Sequence, residues 1–318
     1  MPTNDRPRAG TGDCIEGHWV ASPTPLDALG GVDEGRLADH AASLVASGCD
    51  GVLLFGTTGE GTAFSAAERL SAARALLRHG IPPARIGLGV GMPAIPDAIA
   101  LARQALGLGL SHLLALPPYY YRDVTPEGLT EAFSTLIDGI DDPRLRLTLY
   151  NIPQVSGVAL PPATAAALRT RHGALVAGVK DSSGRFDSVL AYRQAAPGLA
   201  ILVGHEPDIA RSLQAGATGT ICGLSNIAAA AVQAMFAGAS AEATMLEVAG
   251  LIRGPFVPAL KSIMAAQRGD EAWRRVRAPL VAAPAGYGAE AFDRLRRLAP
   301  ATWRQQPGEH RQQPGEQP

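Results

Sequence analysis

Eight short apolar runs alternate with longer alanine- and leucine-rich segments between residues 15 and 222. The longer segments repeat their apolar residues with a helical period, whereas the short runs are apolar almost throughout. Continuous apolar strands separated by helices indicate a parallel sheet that is covered on both faces. Eight such units in about 210 residues fit a closed (β/α)8 barrel of the TIM type better than an open sheet.

The repeat defines the expected elements. The predicted strands are 15–20, 51–55, 85–90, 112–116, 146–150, 175–179, 200–203 and 219–222. The predicted helices are 33–47, 66–79, 97–106, 127–140, 163–172, 187–195 and 208–215, followed by three more around 226–237, 241–267, with an interruption near Gly254, and 270–298, with a break near Pro284. The expected domain organisation is a flexible N-terminal segment 1–13, a barrel 14–223, a C-terminal helical region 224–300 and a disordered tail 301–318.

Composition excludes several classes of partner. The formal net charge is −1 and 18% of the residues are charged, so the chain has no basic field for nucleic acid. No apolar run is long enough to span a membrane, and the polar N-terminus does not resemble a signal peptide. Cys14, Cys49 and Cys222 fit neither a metal site nor a disulfide framework, which favours a reducing cytoplasm.

A glycine-rich segment raises the question of a dinucleotide cofactor. Residues 87–92 follow a predicted strand, but Met92 occupies the position where the third glycine is needed. No acidic residue closes a following strand at the expected distance. We therefore predict neither a cofactor nor a metal.

Lysine is almost absent from this chain. Of the 28 basic residues only Lys180 and Lys261 are lysines, which leaves 26 arginines. Arginine keeps its charge permanently, whereas a buried lysine can lose its proton and attack a carbonyl carbon. Lys180 ends a predicted buried strand, and this is where Schiff-base chemistry would be placed in a barrel. Lys261 lies within a helical pattern, and we interpret it as structural, at an interface if not in the core.

The chemistry of such barrels collects at the carboxyl ends of the strands. Those ends carry hydroxyls, phenols, an amide, the lysine amine, an imidazole and a carboxylate: Thr57, Thr58, Tyr119, Tyr120, Tyr121, Tyr150, Asn151, Lys180, His205 and Glu206. A lysine that attacks a ketone needs apolar surroundings that disfavour its charged form, and a neighbouring phenol can move the protons. Each residue also has a structural interpretation: Lys180 as an ion-pair partner, Tyr150 as a core tyrosine, and residues 56–61 as a tight turn.

Several motifs occur together: residues 24–25, 56–60, 118–120, 150–153 with Gly157, 178–184 and 219–226. With these motifs, the chain from about residue 14 to 300 resembles the dihydrodipicolinate synthase and N-acetylneuraminate lyase family of pyruvate-dependent class I aldolases. The resemblance implies a (β/α)8 barrel with a C-terminal helical region, assembled as a homotetramer. It also implies a 2-keto acid and an aldehyde as small-molecule partners.

The resemblance assigns roles to individual residues. Lys180 corresponds to the Schiff-base lysine and Tyr150 to the proton-relay tyrosine. Thr58 corresponds to the hydroxyl that links Tyr150 to a second tyrosine from a neighbouring subunit, which is Tyr120, or Tyr121 if the alignment shifts by one. Further family positions concern substrate binding: Thr57 with Thr58 at the carboxylate, the Gly204 carbonyl, and Ser182, His205 and Glu206 at a hydroxylated chain.

The chain departs from the synthases of this family at Val155, where they carry an arginine that grips a substrate carboxylate. Valine cannot form that bidentate ion pair. We therefore expect a lyase or aldolase that makes or breaks a C–C bond, since Val155 argues against 4-hydroxy-tetrahydrodipicolinate synthesis. The alternatives are dehydration of a 2-keto-3-deoxy sugar acid by the same imine, 4-hydroxy-tetrahydrodipicolinate synthesis itself, and a non-catalytic small-molecule-binding role.

Overall fold

A computed structural model describes residues 15–298. The expected N-terminal segment 1–13, Cys14 and the expected tail 301–318 lie outside the described residues. Along the described part no helix combines the length and the apolar character needed to cross a membrane.

Eight parallel strands close into a barrel in sequential order, which confirms the predicted fold. β1 pairs with β8, and Gly17 faces Gly219 across that closing seam. The strands are β1 Gly17–Ala21, β2 Gly51–Leu54, β3 Ile86–Gly89, β4 His112–Ala115, β5 Arg146–Asn151, β6 Val176–Asp181, β7 Ala200–Val203 and β8 Gly219–Cys222. β6 continues one residue past Lys180, so the lysine is the penultimate residue of its strand rather than the last.

Helices surround the barrel and extend beyond it. They are α1 Glu34–Ala46, α2 Ala66–Arg78, α3 Ile95–Gly107, α4 Pro126–Ile140, α5 Pro153–Ser156, α6 Pro162–His172, α7 Phe186–Ala195, α8 Ile209–Gln214, α9 Ser225–Phe236, α10 Glu242–Ala249, α11 Phe256–Arg268 and α12 Tyr287–Leu298. The predicted interruption near Gly254 and break near Pro284 are both present: the second segment divides into α10 and α11, and the third into a 3-10 turn at Glu271–Arg274 and α12. Segment 241–267 divides because Gly254 has a φ of 83°, outside the helical range.

Local sequence signals set where helices start. Ser65 and Glu68 form a reciprocal capping box at α2, in which each side chain accepts a hydrogen bond from the other's backbone N–H. Thr125 caps α4 by accepting from the N–H of Gly128, and Pro126 occupies the first helical position. Both helices therefore begin where the sequence predicted.

Two apolar layers fill the fold. The larger lies between the barrel and the helices, and the smaller joins Trp19, Leu53, Leu114, Tyr150, Leu202 and neighbouring side chains inside the barrel. Tyr150 is opposite Lys180 in the register of β5 and β6, and Lys180 is opposite Leu202 in that of β6 and β7. Because side chains opposite one another share a face of the sheet, Lys180 also points into the barrel.

Candidate active site

Lys180 and Tyr150 form the centre of the candidate site at the carboxyl end of the barrel. The Lys180 Nζ lies 4.2 Å from the centre of the Tyr150 ring, and both side chains are buried. Within residues 15–298 no carboxylate pairs with this amine. The arrangement brings a nucleophile and a proton-carrying hydroxyl together without a charge that would fix the lysine as an ammonium.

Gly204 leaves the space that the lysine side chain uses. A Cβ atom built on Gly204 would stand 1.9 Å from the Oγ of Ser182 and 3.2 Å from the Cε of Lys180. The Gly204 N–H donates to the carbonyl of Asp181, which holds the start of the loop after β7 against β6. Any side chain at residue 204 would therefore displace Ser182, Lys180 or both.

Hydrogen bonds outside the barrel lock the two central strands together. The Asn151 amide donates to Asp181 Oδ1 at 2.7 Å, and Asn151 Oδ1 accepts from the N–H of Leu160 at 3.0 Å. The Ser183 hydroxyl donates to the other oxygen of Asp181 at 3.1 Å. Since Asn151 and Asp181 directly follow Tyr150 and Lys180, these bonds fix the register that makes the phenol and the amine neighbours.

Thr57 lies beside the phenol. Its Oγ1 is 3.3 Å from the Tyr150 hydroxyl. The resemblance assigns the linking role to Thr58, but in the structure Thr57 is the neighbour of the phenol. The Thr58 hydroxyl lies instead 3.0 Å from the Cβ position built on Gly223. Adjacent residues of a turn point in different directions, so the two threonines face different parts of the site.

A cavity of about 440 Å³ opens beside Thr57 and Tyr150. Thr57, Tyr150 and Val155 line it together with Phe256 and Leu280 from the C-terminal region. Lys180 is not among its lining residues, whereas its neighbour Tyr150 is. Val155 is largely exposed on α5, which places an apolar side chain at the cavity wall.

Tyr120 and Tyr121 stand away from the barrel of their own chain. Their side chains are 81% and 74% exposed, and their rings meet edge to face at 5.3 Å. Two exposed phenols next to a barrel mouth are unusual for a surface that faces only water. Nothing in this single chain brings either hydroxyl to Tyr150.

The structure separates the predicted pair His205 and Glu206. Glu206 is buried, and its Oε1 accepts hydrogen bonds from the N–H groups of Gly223 and Leu224 at 2.8 and 2.9 Å. This carboxylate oxygen therefore orders the loop after β8, and the expected contact of Glu206 with substrate hydroxyls stays a prediction. His205 remains at the rim, where its Nδ1 lies 3.0 Å from an Asp208 carboxylate oxygen.

Lys261 lies in an ion pair that the sequence did not indicate. Its Nζ is 2.6 Å from Oε1 of Glu60, and neither side chain is more than 1% exposed. Burial lowers the pKa of Lys261, and the Glu60 carboxylate opposes that shift. The interpretation of Lys261 as structural agrees with this position, but an interface role does not. Glu60 is 201 residues away, so no local pattern could have revealed the pair.

The barrel, with a lysine and a tyrosine side by side at its mouth, places the chain among the (β/α)8-barrel enzymes, in the lyase class. A model of the dihydrodipicolinate synthetase family matches residues 15–268, and the chain belongs to that family.

Similar proteins include an uncharacterized DapA-like lyase of Chloroflexus aurantiacus, 36% identical over 65% of this chain and 69% of the relative. A 4-hydroxy-tetrahydrodipicolinate synthase of an Azoarcus species is 33% identical over 71% of this chain and 76% of the relative. Among solved structures, the dihydrodipicolinate synthase of Agrobacterium tumefaciens matches with a TM-score of 0.83 at 33% identity, covering 91% of this chain and all of that one.

Proposed function

We propose that this lyase forms an imine between Lys180 and pyruvate or another 2-keto acid and then makes or breaks a C–C bond. The observation that carries the proposal is the Lys180 amine, which lies 4.2 Å from the Tyr150 ring and has no carboxylate partner among the described residues. An amine in such surroundings is placed to attack a ketone carbon.

The proposed steps use this chain's own groups. The Lys180 nitrogen attacks the ketone carbon, and the ketone oxygen leaves as water after taking up two protons, one of them from Tyr150. The resulting iminium loses a proton from the adjacent carbon and becomes an enamine. That carbon attacks the aldehyde carbonyl carbon, the new alkoxide takes up a proton, and water hydrolyses the imine to return the free amine.

Thr57 supports Tyr150 in this scheme. A hydroxyl 3.3 Å from the phenol can pass a proton to it and hold it in place. We assign to Thr57 the linking role that we expected of Thr58. The backbone N–H groups of Thr57 and Thr58 are the proposed contacts of a substrate carboxylate, since successive N–H groups of a turn can bind an anion. Gly204 and Ser182, which border Lys180, are the proposed neighbours of the 2-keto acid.

The proposed assembly is a homotetramer built from dimers, in which Tyr120 of one subunit reaches the Thr57 of its neighbour. The exposure of Tyr120 and Tyr121 supports this, since a second chain would cover them. Cys49 and Cys222 are free and buried, and this supports a reducing, cytoplasmic location. Cross-linking of the native protein, together with Tyr120→Phe, tests both the assembly and the tyrosine.

Two candidate functions differ in the second substrate, the aldehyde. Relatives at 33–34% identity are named 4-hydroxy-tetrahydrodipicolinate synthases, which favours condensation of pyruvate with aspartate semialdehyde. Val155 favours a different aldehyde, because an apolar side chain at the cavity wall cannot pair with the semialdehyde's carboxylate. We propose the function that Val155 favours. The protein is then an aldolase or lyase, and its aldehyde substrate needs no cation at position 155.

A panel of 2-keto acids and aldehydes on the purified protein tests this choice. We expect turnover with neutral or hydroxylated aldehydes and very weak condensation with aspartate semialdehyde, which Val155→Arg should increase. Val155→Met serves as the matched control, since it adds length without charge. Sugar acids belong in the panel because a dehydratase would release water and no aldehyde. Strong condensation of aspartate semialdehyde by the unchanged protein would contradict the proposal.

A further inference from the structure

Two strained residues enclose the loop that carries Thr57. Phe55 has a φ of 54° and Glu60 a φ of 55°, and Asp141 is the one other non-glycine residue with a positive φ in the described part of the chain. A residue with a Cβ atom takes up this left-handed conformation only when its surroundings hold it there, and such residues cluster at functional sites. The strain therefore directs attention to what holds Phe55 and Glu60.

The loop is also closed on itself. The N–H of Glu60 donates to the carbonyl of Thr57 at 3.1 Å, and the N–H of Gly61 donates to the carbonyl of Gly56 at 3.0 Å. A Cβ atom on Gly61 would stand 2.0 Å from the carbonyl oxygen of Phe55. The backbone of Glu60 therefore determines directly where Thr57 lies.

The Glu60 side chain is held from the C-terminal region. Its Oε1 accepts from Lys261 at 2.6 Å, and its Oε2 accepts from the backbone N–H of Arg277 at 2.9 Å. Lys261 itself is fixed by a second hydrogen bond, to the carbonyl of Arg275 at 2.6 Å. Both carboxylate oxygens are thus bound by groups more than 200 residues away in sequence, on α11 and the segment after it.

Arg69 strengthens the same loop from the barrel side. Its guanidinium is buried and donates to the carbonyls of Gly61 and Phe64 and to that of Gly89 at the end of β3. These contacts hold the loop after β2 against the neighbouring strand. They do not reach the Glu60 carboxylate, so within the described residues Lys261 is the cation that pairs with it, beside the backbone N–H of Arg277.

We propose that Lys261 is a positioning residue for the reaction: it holds Glu60 in the left-handed conformation, Glu60 holds the Thr57 carbonyl, and the Thr57 hydroxyl is thereby kept beside Tyr150. The inference rests on the proposed function. Lys261 is fully buried and does not line the cavity beside Tyr150, so it acts on the site through the loop. A displacement of about 1 Å in a reacting group can cost about a hundredfold in rate, which makes such support matter.

A double-mutant cycle between Lys261→Met and Thr57→Val tests the proposal. We expect Lys261→Met to lower kcat by up to about tenfold, which is no more than the loss expected for Thr57→Val itself, with little change in KM. Combining it with Thr57→Val should lower kcat no further than Thr57→Val does alone, because both changes disable the same contact. Independent, multiplying effects would overturn the proposal, and so would an unchanged kcat in a folded Lys261→Met protein.

Loss of stability needs a separate control. Leu44 on α1 is buried in the shell around the barrel, away from the loop, and Leu44→Ala should lower Tm while kcat stays unchanged. Lys261→Met alone is replaced in the cycle if it does not fold. The double variant Lys261→Met/Glu60→Gln then takes its place, because it removes both buried charges. This double variant should fold and still have a low kcat; wild-type kcat in it would overturn the proposal.

Borohydride trapping with pyruvate separates this inference from the proposed function. Absence of trapping in the unchanged protein would contradict the imine mechanism itself. Trapping at equal rates in the unchanged protein and in Lys261→Met would contradict only the positioning role of Lys261. We expect trapping in both, with a slower rate in Lys261→Met.

Discussion

The two lysines of this chain are both buried, but they differ in what faces the amine. Lys180 has an aromatic ring and a phenol beside it and no carboxylate among the described residues, whereas Lys261 has the Glu60 carboxylate at 2.6 Å. A buried carboxylate partner favours the ammonium form and makes the lysine a structural cation. Without that partner the amine can be a nucleophile, so the neighbour rather than burial decides the role.

The same difference separates two regions of the molecule. The barrel mouth keeps reactive groups close together with few ion pairs, and the junction between the loop after β2 and the C-terminal helices is rich in them. Arg277 shows the second pattern: it donates to Glu68 and to the carbonyl of Gly30, and its guanidinium lies 4.0 Å from the centre of the Phe64 ring. The junction supplies rigidity to the loop on which the mouth depends.

The largest expected effect is the loss of the Lys180 amine. Lys180→Arg keeps a cation but removes the nucleophile, so turnover should fall by at least about four orders of magnitude. Steady-state kinetics with the best substrate pair of the panel measures this. Residual turnover above one per cent of the unchanged protein would show that the imine is not the main route.

Removal of the phenol oxygen should have the next largest effect. Tyr150→Phe should lower kcat by about 10²- to 10⁴-fold, because the phenol carries protons in the proposed mechanism. Tyr192→Phe is the matched control: Tyr192 is a buried tyrosine that donates to the carbonyl of Leu160. It should lose some stability and keep its kcat. Equal kinetic losses in the two variants would argue against a specific role of Tyr150.

Breaking the ion pair should cost stability. Lys261→Met leaves the Glu60 carboxylate buried without its partner and should lower the free energy of unfolding by about 3–5 kcal/mol. Adding Glu60→Gln should recover part of that loss, because no buried charge then remains. Urea unfolding measures both. A loss below about 1 kcal/mol in Lys261→Met would show that the loop relaxes easily and is not held by the pair.

The comparison of the two lysines applies also to three buried histidines, which are bases without a carboxylate partner. Burial lowers the pKa of His18 and His112 to about 4 and that of His40 to about 3. Below pH 6.5 the unfolded chain binds these protons and the folded chain does not, so stability falls with decreasing pH. The expected slope is about 1.4 kcal/mol per pH unit for each histidine, from pH 6.5 to about 4.

Urea unfolding between pH 7 and pH 4.5 checks this slope. His18→Gln should reduce the slope by the contribution of one histidine. His79→Gln should leave the slope unchanged, because the His79 side chain is 42% exposed. A pH-independent stability in this range would contradict the neutral state of the buried rings.

The smallest expected effect distinguishes neighbouring threonines. Thr57→Val and Thr58→Val remove the same hydroxyl from adjacent residues of one loop. We expect the first to lower kcat by roughly tenfold, the value of one lost hydrogen bond, and the second to lower it less. A larger loss in Thr58→Val would return the linking role to Thr58 and would contradict the geometry at Tyr150.

Much of the fold could be predicted because its signals are local. The strands are short apolar runs bounded by turns, and the proximity of Tyr150 to Lys180 follows from their places at the ends of successive strands. The break in the C-terminal helices near Gly254 was predictable for the same local reason, since glycine readily adopts the positive φ that interrupts a helix.

The rest of the site depends on contacts that no local pattern encodes. Which threonine faces Tyr150 depends on the positive φ angles of Phe55 and Glu60, and these depend in turn on Lys261. Glu206 looked like a rim residue, but the N–H groups it binds belong to the loop after β8. In both cases the side chain is used to order backbone, and the partner comes from a distant part of the chain.

Reductive trapping tests the central claim most directly. The protein is incubated with pyruvate and borohydride, digested, and mapped by mass spectrometry. The account predicts a stable adduct on Lys180 and none on Lys261, whose amine is held by Glu60. It also predicts that the adduct disappears in Lys180→Arg. An adduct on Lys261, or no adduct on Lys180, would contradict the assignment of the two lysines.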